Sequence, residues 1–210
     1  MSHRTRFVFV GDSITDCGRD RGDSASLGDG YVRILADAIA ERAGGADVRN
    51  VGVSGDRAID LEARWATDVV AAHPDVLTVY VGVNDMWRRF DSDDPTSPEA
   101  FQATLLRLLD TLPAPLPRLL IIEPFFLPST PAHREWIDDL DGKRAVLRRV
   151  ADQYGATFVP LHDRLTAAAA ESGIAAIAPD GVHPSPAGHA LIAEAWLEAF
   201  GATDPDARAS

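Results

Sequence analysis

The 210-residue chain has a single cysteine, Cys17, so no intramolecular disulfide can form, and a small disulfide-stapled scaffold is excluded. It has no apolar run near the roughly 18 residues that a membrane-spanning helix requires. Met1–Arg6 passes straight into a strand-like stretch without a signal-peptide pattern. Positive charge is in short supply: 20 Lys and Arg stand against 32 Asp and Glu, for a formal net charge of −12. A surface of that sign repels phosphate backbones and anionic headgroups, which argues against nucleic acid and membranes as partners. No H-E-x-x-H, no G-x-x-x-x-G-K-[ST] and no G-x-G-x-x-G after a strand occurs, so neither a metal nor an organic cofactor is expected. These absences leave a soluble, cytoplasmic protein acting on a neutral or cationic small molecule as the expectation.

What is present is a large apolar fraction, 46% of residues. A chain of this length should bury roughly 70% of the surface it exposes when unfolded, enough for a core and a cleft. Residues 1–210 read as one domain, with Gly201–Ser210 as a polar tail expected to fray. Five β-branched runs read as strands: Arg6–Val10, Val48–Val53, Val76–Val81, Leu119–Ile122 and Thr157–Val159. They are largely apolar on both faces rather than strictly alternating, as parallel strands covered on both faces must be.

Between them lie stripes of helical period: Tyr31, Ile34, Leu35, Ala38, Ile39; then Phe101, Leu105, Leu108, Leu109, Leu112; then Val146, Leu147, Val150, Tyr154. The last helix has a defined start, with Ser185 as N-cap and Pro186 in the first helical position, and it turns Leu191, Ile192 and Trp196 inward. Asp91–Pro98 and Pro124–Arg134 read as loops. The alternation predicts an α/β fold of three layers around a five-stranded, mostly parallel sheet.

In such sheets ligands bind beyond the carboxyl ends of the strands. The chemistry-bearing residues fall there: Gly11-Asp12-Ser13 after the first strand, Ser54-Gly55-Asp56 after the second, Gly82-Val83-Asn84-Asp85 after the third, and Asp180-Gly181-Val182-His183 before the final helix. A serine hydroxyl needs a base to become a nucleophile, and an imidazole suits that task near neutral pH. Asp180, three residues before His183, can reach back to Nδ1 and fix its tautomer. Acyl transfer also needs donors aimed at an oxyanion. The N–H groups of Ser13 and Gly55 and the Asn84 side-chain amide are available for that role.

The blocks Gly11–Asp16, Asn50–Gly55, Gly82–Asp85 and Asp180–Pro184 resemble the SGNH (GDSL-type) hydrolase family, over Phe7 to about Phe200. The resemblance implies a flavodoxin-like α/β/α sandwich. It also implies catalytic Ser13, Asp180 and His183, with an oxyanion hole of Ser13, Gly55 and Asn84. Further segments, Thr15–Arg19, Leu27–Val32, Ala63–Trp65, Asn84–Arg88 and His183–His189, are similar to the intracellular acetyl-xylooligosaccharide esterases within that family. That similarity implies removal of acetyl groups from sugars. In one departure, Pro179 stands where those esterases can carry an aromatic residue before the aspartate.

Asp12, Arg57 and Trp87 flank these groups and are candidates for lining the substrate cleft. Asp56 and Asp85 are expected to orient loops, His189 to pack or cap, and His73 and His162 to lie on surface or loops. Cys17 reads as a small buried hydrophobe. Two other functions remain open at this level: a lysophospholipase or thioesterase of the same chemistry, and a non-catalytic glycan-binding domain. A homo-oligomer is compatible with either.

Overall fold

In the computed structural model, which describes residues 4–43 and 45–202, five strands form one sheet: β1 (Arg6–Gly11), β2 (Asp47–Asn50), β3 (Val76–Tyr80), β4 (Arg118–Ile122) and β5 (Thr157–Val159). Their order is β2-β1-β3-β4-β5, the order of flavodoxin-like sheets. Every pairing is parallel, so the sheet is wholly rather than mostly parallel.

Successive side chains on a strand point to opposite faces. On β1, Phe7 and Phe9 enter one apolar cluster with Tyr31, Leu35 and Trp196, while Val8 and Val10 enter another with Leu105, Leu109 and Leu147. That two-sided burial is why the strand sequences do not alternate; each such side chain contributes roughly 1.5–3 kcal/mol. The first cluster is closed by α2 (Tyr31–Ala43), α8 (His162–Ser172), α9 (Ile174–Ile177) and α10 (Pro186–Ala202). The second is closed by α3 (Ala58–Leu61), α4 (Trp65–Asp68), α6 (Pro98–Leu109) and α7 (Arg134–Tyr154). Two further helices, α1 (Ser13–Asp16) and α5 (Val83–Asp91), open directly after β1 and β3. Trp196 anchors α10 to the middle of the sheet by donating Nε1–H to Thr78 Oγ1 at 2.9 Å.

Several elements differ from the sequence expectation for local reasons. The second strand ends at Asn50 and not at Val53. Val51 and Val53 still donate to the Phe9 and Gly11 carbonyls at 2.9 and 3.0 Å. The Val51 carbonyl, however, turns to Arg64 Nη1 at 2.5 Å, and Gly52 N–H, on the outer side, bonds the Asn50 side chain at 2.9 Å. On α2 the buried arc runs through Tyr31, Val32, Leu35 and Ile39, which leaves Ile34 on its margin at 36% exposure.

The loop expected at Asp91–Pro98 shortens at both ends, because α5 runs to Asp91 and Pro98 opens α6 behind the N-cap Ser97. The Pro124–Arg134 loop contains a short 3-10 turn, Pro131–His133, and gives way to α7 at Arg134. Ser185 does cap α10, accepting from Gly188 N–H at 3.2 Å. Of the tail expected to fray, Gly201 and Ala202 are helical and 203–210 lie outside the described residues. Among the described residues no helix is long and apolar enough to cross a membrane.

Candidate active site

The turn after β1 is tight. A Cβ on Gly11 would fall 2.3 Å from Thr15 Oγ1 and 2.5 Å from the Tyr80 carbonyl, so only glycine lets the chain pass there. Asp12 then caps α1 by accepting from Ile14 N–H at 3.0 Å. That sets Ser13 in the first helical position, half-exposed at the carboxyl end of the sheet.

From 170 residues away the α9–α10 loop brings His183 Nε2 to 2.9 Å from Ser13 Oγ. Nδ1 of the same ring is 2.6 Å from Asp180 Oδ2. An ionised carboxylate can only accept, so Nδ1 carries the proton and Nε2 presents its lone pair to the Ser13 hydroxyl. Asp180 Oδ1 in turn accepts the N–H groups of His183 (2.7 Å) and Val182 (2.9 Å). Burial pushes the Asp180 carboxyl up, but the bonds from the His183 ring and from the two N–H groups outweigh it and hold it below its ordinary value. The loop is fixed from behind: Gly181 donates to Ala178 O at 2.9 Å, and its carbonyl accepts from Leu127 N–H at 2.9 Å. Asp180 and His183 side chains are each 48% exposed, so the site is open to solvent.

Gly55 and Asn84 come from the ends of the neighbouring strands. Gly55 has φ +91, and a Cβ there would meet nothing within 4 Å, so open space lies beside it. Asn84 is buried at the start of α5 and donates one amide hydrogen to the Asp56 carbonyl at 3.0 Å; among the described residues the other meets no acceptor. Among the described residues, neither the Ser13 nor the Gly55 N–H is committed to an acceptor outside a helix or strand.

The loops carrying these groups are cross-braced. Arg64 joins the Asp56 carboxylate (2.7 Å) to the carbonyls of Val51 (2.5 Å) and Gly11 (3.2 Å). Asp16 accepts from Ser54 N–H (3.0 Å) and Ser54 Oγ (2.8 Å) and pairs with Arg21. Asp85 is fully buried and accepts from Ala58 N–H at 3.1 Å. The loop-orienting roles expected of Asp56 and Asp85 correspond to these contacts.

Of the three cleft candidates, Trp87 is the one that stands beside the Ser13–His183 pair, with its ring centroid 6.0 Å from that of His183. Asp12 is a correction: its side chain is 1% exposed and lies beneath the turn, serving as a cap instead of facing the groove. Burial, opposed by the Ile14 N–H and reinforced by the charges of Asp85 and Asp56, raises its carboxyl to about 7. Arg57 is spent on ion pairs with Asp94 (2.8 Å) and Asp60 (3.4 Å), tying the turn after Gly55 to the loop before α6.

His189 packs and caps as expected. Its Nδ1 accepts the Tyr31 N–H at 3.2 Å, and Nε2 lies 3.2 Å from Cys17 Sγ. Burial lowers its pKa to about 4, so the neutral ring carries its proton on Nε2 and offers the thiol no lone pair. His73 is exposed at the end of a 3-10 turn, whereas His162 is half-buried at the head of α8.

Sequence reasoning missed an aromatic group behind Trp87. Trp136 lies 6.2 Å from it and stacks on Phe90 (4.9 Å, 11°) and Phe126 (5.3 Å, 22°), with His133 4.9 Å away. The available signal was the i,i+3 spacing of Trp87 with Phe90 and of His133 with Trp136.

A parallel sheet in this order, with a serine after the first strand hydrogen-bonded to an Asp-x-x-His before the last helix, defines a class. The chain belongs to the GDSL-like lipase/acylhydrolase family, whose model matches residues 9–191. Among individual proteins it is 34% identical to an acetylxylan esterase of Geobacillus stearothermophilus, over 93% of this chain and 94% of that one. The crystal structure of Axe2, an acetylxylan esterase from the same organism, superposes with a TM-score of 0.86 at 31% identity, covering 94% of each chain. LAE5, an alpha/beta hydrolase enzyme from the metagenome of Lake Arreo, gives 0.86 at 32% identity, covering 95% of this chain and 96% of that one.

Proposed function

We propose that this chain is a serine esterase that hydrolyses short acyl esters, with O-acetyl groups on carbohydrates as its substrate class. The observation that carries the reading is the continuous path Asp180 Oδ2–His183 Nδ1 and His183 Nε2–Ser13 Oγ, at 2.6 and 2.9 Å. The acetyl and sugar specificity draws its support from the acetylxylan esterase likeness over nearly the full length of both chains.

In this mechanism His183 Nε2 removes the Ser13 proton as Oγ bonds to the ester carbonyl carbon. The oxyanion of the tetrahedral intermediate is met by the N–H groups of Ser13 and Gly55 and the free amide hydrogen of Asn84. The carbon–oxygen bond to the alcohol then breaks, and the leaving oxygen takes the proton from Nε2. Water enters, gives a proton to the same nitrogen and attacks the acyl carbon, and release of Oγ frees the acid and restores the hydroxyl. Asp180 stays ionised throughout and holds the ring.

The test is acetate release from acetylated xylo-oligosaccharides, run beside a series of simple esters of rising acyl length. Wild type should prefer acetate, and Ser13→Ala should be folded and inactive. Full activity in Ser13→Ala would overturn the nucleophile, and a preference for octanoate over acetate would move the protein to the lipolytic branch of its family.

A further inference from the structure

His183 decides which half of the ester lies where. The proton that leaves Nε2 goes to the alcohol oxygen, so that oxygen must come within about 3 Å of the ring during the step. The body of the alcohol therefore projects from beside His183, and the residue waiting there is Trp87, centroid to centroid 6.0 Å and tilted by 51°. Trp87 is half-buried, sits on α5 three residues after Asn84, and so shares a helix face with the amide assigned to the oxyanion.

Trp136 backs this wall. Its ring lies nearly parallel to Phe90 and to Phe126, at 4.9 and 5.3 Å, and touches Trp87 at 6.2 Å. Phe126 is 1% exposed, and its neighbour Leu127 is bonded to Gly181 in the loop that carries Asp180 and His183. One stack thus ties α7, α5 and the His183 loop together, and Trp87 is confined between His183 and Trp136.

We propose that Trp87 is the face on which the alcohol half of the ester packs, that this half is a pyranose ring, and that Trp136 is a positioning residue that holds Trp87 there. The proposal rests on the esterase reading above. A half-exposed indole beside a solvent-open site suits a ligand with one apolar C–H face and a polar rim that stays in water, which describes a pyranose. The side chain of Trp136 does not touch the reacting groups; it acts through Trp87.

The experiment compares two acetate esters, acetylated methyl β-xylopyranoside and ringless ethyl acetate, in wild type, Trp87→Ala, Trp136→Ala and Trp136→Phe. The readout is the ratio of kcat/KM for the ring ester to that for the ringless one. Trp87→Ala should lower the ratio about five- to tenfold, chiefly through KM for the ring ester, a loss of the size expected for one aromatic contact. Trp136→Ala should lower it in the same direction, Trp136→Phe should restore it, and the double alanine variant should fall no further than Trp87→Ala. If Trp136→Ala does not fold, Trp136→Leu keeps apolar volume and must show the same direction.

An unchanged ratio in Trp87→Ala overturns the proposal, as does equal loss on both substrates in the Trp136 variants. Wild type that cleaves ethyl acetate and not the sugar ester also overturns it, while leaving the esterase reading intact. Wild type inactive on both esters would instead remove the esterase reading itself.

Discussion

The Leu127 carbonyl faces Gly181 so closely that a Cβ on the glycine would lie 2.4 Å from it. With φ +86 at the same residue, the loop that carries Asp180 and His183 is pinned by both backbone conformation and contact. Gly181→Ala should therefore cost well over about 1 kcal/mol and lower Tm by several degrees. It should also lose activity out of proportion to stability, since the His183 ring moves with the loop. Gly155→Ala is the control, with φ +61 but nothing within 4 Å of the added methyl. Equal effects of the two on hydrolysis would show that the loop's placement is immaterial.

Asp180→Asn keeps the shape of the loop and can still accept the N–H groups of His183 and Val182. It can also present an amide hydrogen to Nδ1, which favours the tautomer with the proton on Nε2, facing Ser13. The expected result is a fall in kcat on the order of 10³–10⁴ with little change in Tm. Activity within tenfold of wild type would show that the ring does not depend on this carboxylate.

Asn84→Ala removes the side-chain donor and the brace to the Asp56 carbonyl. A drop in kcat of about 10²–10³ is expected, with KM changed far less, because the donor is needed most when the oxygen carries full charge. A loss confined to KM would place Asn84 in ground-state binding instead.

Asp85 gives a prediction in pH. Burial raises its folded-state carboxyl to about 7, opposed by the Ala58 N–H and by the charges of Lys143 and Arg57, and reinforced by Asp60. In the unfolded chain the group titrates near roughly 3.9. Its folded pKa is the higher one, so its contribution to stability is full below about pH 4 and is lost as pH rises towards 7. Asp85→Asn cannot ionise, so its Tm relative to wild type should improve from pH 4 to pH 7. A difference that does not vary with pH would contradict this. Asp12, shifted in the same direction, keeps part of the slope in both proteins.

The sheet and the meeting of Ser13 with His183 were legible in the sequence because both follow from short-range rules. Phe7–Val10 and Leu119–Ile122 are apolar at every position, which parallel strands need and little else does. Ser13, Asn84 and the Asp180–His183 loop each follow a strand or precede a capped helix, so their order in the chain already gave their place on the rim.

What could not be read depended on packing at a distance. Nothing local distinguishes the outer Ile34 from the inner Val32; the arc on α2 is set by α10 and the sheet. Asp12 looked like a rim residue because its neighbour is one, and only burial shows that it is a cap. The stack on Trp136 draws on three separate segments, so no window of sequence contains it.

The span between Ser13 and His183 has a consequence for biosynthesis. The hydroxyl emerges from the ribosome 170 residues before the imidazole it pairs with, which lies in the loop ahead of α10. A chain not yet extended as far as His183 leaves the Ser13 hydroxyl without that partner, so under the proposed mechanism turnover itself becomes a readout of completed folding.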